Sequence, residues 1–120
     1  MAETCYDLDG TRVLECAPMG CLDAVEIIGD ALGQGARLVA IPAERCGDDF
    51  FRLRTGIAGQ FLQKFVTYGV RVVILGDISP CLEASSALRD FVYESNRGRD
   101  IWFVATLEEL RSRQLSSVNT

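Results

Sequence analysis

Histidine is absent from the 120 residues, and lysine occurs only once, as Lys64. The first absence excludes a Ser-His-Asp triad, an imidazole base and a His-ligated metal. The second leaves no phosphate-binding lysine loop, because Lys64 follows Gln63 and not glycine. No apolar run approaches the roughly 20 residues of a membrane span. The start, Met1-Ala2-Glu3-Thr4, lacks the basic and apolar regions of a signal peptide. A cytoplasmic protein with no membrane partner is therefore expected. The five cysteines (Cys5, Cys16, Cys21, Cys46, Cys81) are odd in number and contain no C-x-x-C pair. Reduced thiols follow, with no metal site and no cofactor expected. A net charge of −5 argues against a nucleic-acid partner.

What is present is a globular composition, 48% hydrophobic and 24% charged. It reads as one domain over residues 1–115 with a frayed tail at 116–120. Asp9-Gly10 between two short apolar runs predicts a hairpin of Thr4–Leu8 and Arg12–Ala17, pairing Leu8 with Thr11, Tyr6 with Val13 and Asp7 with Arg12. Pro18-Met19-Gly20 breaks the second strand. Leu22, Val25, Ile28 and Leu32 follow helical spacing, widened by Ile27 and Ala31. Arg37–Ile41 and Val70–Leu75 are continuous apolar runs suited to strands covered on both faces. Between them Ala43–Asp49 reads as a loop, with Asp48 and Asp49 as helix caps. An amphipathic helix follows on Leu53, Ile57, Phe61 and Phe65. Ser79-Pro80 opens a further helix with a face of Leu88, Phe91, Val92 and Ser95. Ile101–Ala105 is the last strand, and Thr106 with Glu109 caps a final helix over Leu107–Gln114. The order β-β-α-β-α-β-α-β-α predicts an α/β domain with a mixed, largely parallel sheet in two or three layers.

Ligands of an open α/β sheet meet the carboxyl ends of its strands. Two loops collect there. One carries Asp49, Arg54, Thr55, Gly56 and Gly59; the other carries Asp77 and Ser79. Gly56 and Gly59 are unfavourable inside a helix, by about 1 kcal/mol each relative to alanine. They read either as tight helix-on-sheet packing or as a helix start kept bare for a partner or an anion. Thr55 reads as a helix-start hydroxyl or a phosphorylation site. Asp77 is a turn carboxylate or a catalytic one. Arg52 and Arg54 form a basic spot that is either a solvated pair or a phosphate receiver. Phe50-Phe51 reads as a hydrophobic staple and core plug. Glu94, Asn96 and Arg97 follow a helix and are expected at the opposite edge of the sheet.

The strings Asp49-Phe50-Phe51-x-Leu53-Arg54-Thr55-Gly56-x-Ala58-Gly59, Gln63-Lys64-Phe65, Gly76-Asp77-Ile78-Ser79 and Glu94-Ser95-Asn96-Arg97-Gly98 resemble a bacterial domain-of-unknown-function family, number 4180. The element order and the turn Phe51–Ala58 also resemble the STAS domain of anti-sigma-factor antagonists. So does the ending Val104–Leu110. In those domains an Asp-Ser-Ser-Gly-Leu-Gly loop opens the second helix, and a kinase-like partner phosphorylates its second serine. That resemblance implies a STAS-like fold and places Thr55 on the phosphorylated serine and Gly56 on the glycine after it. Leu53 stands where the motif has aspartate, Arg54 where it has the first serine, and Ala58 where it has the second glycine.

The leading expectation is a non-enzymatic regulatory or protein-interaction domain. It would use the edge formed by the second-helix start and the loop after Val70–Leu75, with an unknown protein partner. A small-molecule or anion site (a nucleotide or an acyl chain) at that edge or beneath Phe50 and Phe51 is the alternative. An enzyme using Asp77 or Asp49 as base is the third. A homodimer through the hairpin edge is open to the fold but not required by it.

Overall fold

Hydrophobic alternation and hairpin chemistry set the first edge of the sheet. A computed structural model describes residues 4–8, 10–17 and 22–118, with side chains as far as Arg113 except that of Leu53. Asp9 of the expected turn, the Pro18-Met19-Gly20 break, Cys21 and residues 119–120 lie outside the described residues. Strands β1 (Thr4–Leu8) and β2 (Thr11–Glu15) pair antiparallel. Their register is the one expected, with Tyr6 opposite Val13, Asp7 opposite Arg12 and Leu8 opposite Thr11.

From β2 the chain winds forward one strand at a time through α1 (Ala24–Gly33), β3 (Leu38–Pro42), α2 (Ala43–Cys46), a 3₁₀ turn at Leu53–Thr55, α3 (Ile57–Thr67), β4 (Arg71–Leu75), α4 (Ser79–Ala84), α5 (Ser86–Arg97), β5 (Ile101–Val104) and α6 (Leu107–Val118). The five strands lie in the order β1-β2-β3-β4-β5, parallel from β2 onward. Each parallel step moves in the same direction. Right-handed crossovers therefore place the crossover helices on one face. There Leu14, Val39, Ile41, Val72, Ile74 and Phe103 meet Ile27 and Ile28 of α1, Phe61 and Phe65 of α3, and Leu88 of α5. The opposite face carries Val13, Leu38, Ala40, Val73 and Trp102, packed with Leu110 of α6. This explains why β3 is buried on both sides along its length.

Helix α6 is anchored at Trp102. The indole N–H donates to the Gly98 carbonyl at 2.8 Å. The guanidinium groups of Arg71 and Arg113 lie 4.4 and 4.5 Å from its ring centroid. Burial there lowers the Arg71 pKa. The Glu109 N–H donates to Thr106 Oγ1 at 3.1 Å, the cap expected for this helix. The helix runs on to Val118, four residues past Gln114.

Several expectations are corrected. The stripe of α1 is rotated: Ala24, Ile27, Ile28 and Ala31 are buried, while Val25 and Leu32 are 54% and 55% exposed. Ala24, Ile27, Ile28 and Ala31 fall at i, i+3, i+4 and i+7, so the inward stripe is centred on the two isoleucines and leaves Val25 and Leu32 outside it. Ala43–Cys46 is a helical turn and not a loop. Asp48 and Asp49 cap nothing, because α3 begins only at Ile57, after Gly56. The hydrophobic staple is lost with them, but Phe50 is a core plug, 1% exposed and 5.8 Å from the Phe61 ring. The helix after Ser79-Pro80 is two helices. Ser85 breaks it in an extended conformation and caps α5, its Oγ accepting the Leu88 N–H at 3.1 Å.

Candidate functional site

Among the described residues the carboxyl ends of β3, β4 and β5 border two concavities. The larger is an open cleft of about 610 Å³ between the segment after α2 and the α4–α5 junction. Phe51, Arg52 and Arg54 form one wall; Pro80, Cys81 and Ala84 form the other. Phe51 is nearly buried and packs edge-on to Phe50, with ring centroids 5.2 Å apart. Arg52 faces Asp49 at 3.9 Å in a largely exposed pair. The second concavity, about 200 Å³, is lined by Asp77, Ser79, Asn96, Phe103 and Glu109 among others.

Thr55 ties the first wall together. Its Oγ1 lies 2.8 Å from the Arg52 carbonyl oxygen and 3.0 Å from that of Asp49, and its single hydroxyl proton is shared between them. The same oxygen accepts the Ile57 N–H at 3.3 Å. The hydroxyl therefore holds the turn that carries Arg52 and Arg54 against the start of α3. Gly56 follows with φ +76°, the left-handed conformation glycine adopts without strain. It is the helix boundary and not a helix-interior glycine, which corrects the expected cost there. Gly59 does lie inside α3, but a Cβ added to it would meet nothing within 4 Å. No close backbone approach explains it. The close approach is at Gly76 instead, where a Cβ would fall 3.0 Å from Ala43 Cβ. The β4–α4 loop thus presses on α2.

Asp77 Oδ1 accepts from the Ser79 N–H at 3.0 Å and from Ser79 Oγ at 2.6 Å. These bonds, the hydroxyl's first, hold the Asp77 carboxyl below its ordinary pKa. This is the geometry of a turn carboxylate. Glu94 and Arg97 form an exposed pair at 3.5 Å. Asn96 departs from the expected placement. Its Oδ1 accepts the Phe103 N–H at 2.7 Å and its Nδ2 donates to the Phe103 carbonyl at 3.3 Å. It also lines the smaller cavity beside Asp77 and Ser79. A four-residue strand spans only about 13 Å, so the last turn of α5 reaches it from the far end.

The structure thus divides the expected site. Arg54 faces the larger cleft, Thr55 and Gly56 support it from behind, and Asp77, Ser79 and Asn96 share the smaller one. Cys81 and Ser85 went unrecognised as cleft residues. The signal was present in Ser85-Ser86, a capping pair in the middle of an expected helix. Cys46, at the end of α2 and packed against the core, is pushed up to about 12, chiefly by burial. Among the described residues no three His, Cys, Asp or Glu side chains gather as metal ligands. No helix among them is long and apolar enough to cross a membrane.

Fold and site together define a small mixed α/β domain with an arginine-rimmed cleft at the carboxyl edge of its sheet. The chain belongs to the family described as Domain of unknown function (DUF4180), whose model matches residues 11–114. No curated protein and no solved structure matches it.

Proposed function

We propose that the protein is a non-enzymatic interaction domain with a regulatory role, working through the edge that joins the start of α3 to the α4–α5 junction. The observation that carries this reading is the cleft itself, an open concavity with a buried aromatic floor and two exposed arginines. Asp49 and Asp77, the two candidate bases, are occupied in local contacts with Arg52 and Ser79. That favours binding over general-base catalysis. The STAS-like likeness belongs to the same reading. It is supported by the one-strand-at-a-time winding and by Thr55–Gly56 immediately before α3. Within it Thr55 is the phosphorylation site. A phosphate on Oγ1 removes the proton donated to the Asp49 and Arg52 carbonyls. The turn carrying Arg52 and Arg54 is thereby loosened, and the modified form binds more weakly.

The test is affinity capture of the tagged protein from the cells that make it, with Ala87→Trp in parallel. Ala87 lines the cleft on the exposed side of α5, so the indole fills the concavity without entering the core. A protein retained by wild type and lost by the folded variant supports the proposal. Equal capture by both, with matched thermal melts, sinks it.

A further inference from the structure

We infer that the same cleft binds a small organic oxyanion, an apolar or aromatic body bearing a phosphate or carboxylate group. The inference goes beyond the partner reading and does not depend on it.

Four observations converge. The cleft's volume, about 610 Å³, lies inside the range of about 300–1,000 Å³ usual for small-molecule sites. Its floor is apolar and firm: Phe51 is 8% exposed and braced by Phe50, while Pro80, Ala84 and Ala87 are too short to close it. Its rim is cationic in a chain whose net charge is −5, with two guanidinium groups against the one carboxylate of Asp48. Arg52 already faces Asp49, whereas Arg54 has no ion-pair partner among the described residues. Finally, Ser85 and Ala87 bring the first turn of the twelve-residue helix α5 to the cleft. The Ser85 side chain satisfies only the Leu88 amide. The other first-turn amides have no acceptor within a helix and carry its positive end.

Guanidinium groups and free amides recognise oxyanions by charge-assisted hydrogen bonds. The apolar floor accepts no hydrogen bond and rewards only a ligand with a hydrocarbon body. A bare anion uses the rim alone and an uncharged aromatic the floor alone. Only a molecule with both uses the whole cleft.

Isothermal titration of the full chain with four probes tests this: phenyl phosphate, benzoate, inorganic phosphate and benzyl alcohol. Phenyl phosphate or benzoate is expected to bind at least tenfold more tightly than inorganic phosphate and benzyl alcohol. Arg54→Gln and Ala87→Trp should each weaken that binding at least tenfold. Arg97→Gln, at the exposed pair with Glu94, should leave it unchanged. Folding of each variant is checked by circular dichroism melting. The inference is overturned if neither organic anion binds saturably in the millimolar range. It is overturned equally if inorganic phosphate binds as well as they do, or if both cleft variants bind like wild type. A partner captured by wild type and lost by Ala87→Trp, with no probe bound, would remove this inference and leave the interaction reading standing.

Discussion

Asn96 hydrogen-bonds through its side-chain amide to both backbone groups of Phe103. In a parallel sheet the N–H and C=O of one residue point to the same side. Those of Phe103 point away from β4, and the amide of Asn96 takes the place of a residue of a sixth strand. It closes the outer edge of β5 with a side chain, while β1 forms the other edge of the sheet. Asn96→Ala should therefore lower stability by about 2 kcal/mol, two partly buried hydrogen bonds. Urea unfolding measures this. A loss under a few tenths of a kcal/mol would show that water replaces the amide without penalty.

Thr55→Val removes the donor to the Asp49 and Arg52 carbonyls and the acceptor for the Ile57 N–H. A loss of about 1 kcal/mol is expected, with Thr55→Ser close to wild type. Equal stability of valine and serine variants would show that the hydroxyl does not hold the turn.

Gly56 and Gly59 should respond with opposite signs. Gly56→Ala forces a side chain into the left-handed region at φ +76° and should destabilise by about 1–2 kcal/mol. Gly59→Ala adds a methyl group to open space inside α3 and should stabilise by about 0.5–1 kcal/mol. Thermal melts of the two single variants decide it. A destabilised Gly59→Ala would mean that something seats against that helix.

The alkaline limb of stability should be steep. The Cys46 thiol keeps its proton to about 12 in the folded chain but ionises near its ordinary 9.0 when unfolded. Between those values the unfolded state binds fewer protons, so stability falls as pH rises, by at most about 1.4 kcal/mol per unit from this group. Burial and the bond to Glu15 raise Tyr6 as well, which adds to the fall above pH 10. Guanidinium melts at pH 8 and pH 10, repeated on Cys46→Ala, should show the variant losing less.

Asp77 titrates in the other direction. Its folded pKa lies below the ordinary 3.8, so its stabilising contribution is whole above that value and is lost as pH falls through the folded one. Carboxyl-carbon NMR should place its midpoint below 3.8, and Ser79→Ala should move it upward. A midpoint unmoved by Ser79→Ala would break the link between the two residues.

Much of the architecture was legible along the chain. Apolar runs bounded by Gly and Pro located all five strands. Asp9-Gly10 with its flanking alternation specified the hairpin register to the residue, because a two-residue loop permits only one pairing. The family, too, was readable from the strings Asp49–Gly59, Gly76–Ser79 and Glu94–Gly98. These signals are local, and local chemistry acts before the chain is packed.

What only tertiary structure decided were the quantities that depend on what lies opposite. The inward face of α1 was set by Ile27 and Ile28 meeting the core formed by the sheet and α3, which left Val25 and Leu32 outside. Gly76, not Gly56 or Gly59, marks the close backbone approach, because Ala43 belongs to another element. The cleft itself joins Arg54 to Cys81 and Ala87, roughly thirty residues on, across the ends of two adjacent parallel strands. Neither wall is concave alone. The parallel pairing of β3 with β4 brings the loops after them to the same edge and creates the site, and that is a property of the sheet and not of either segment.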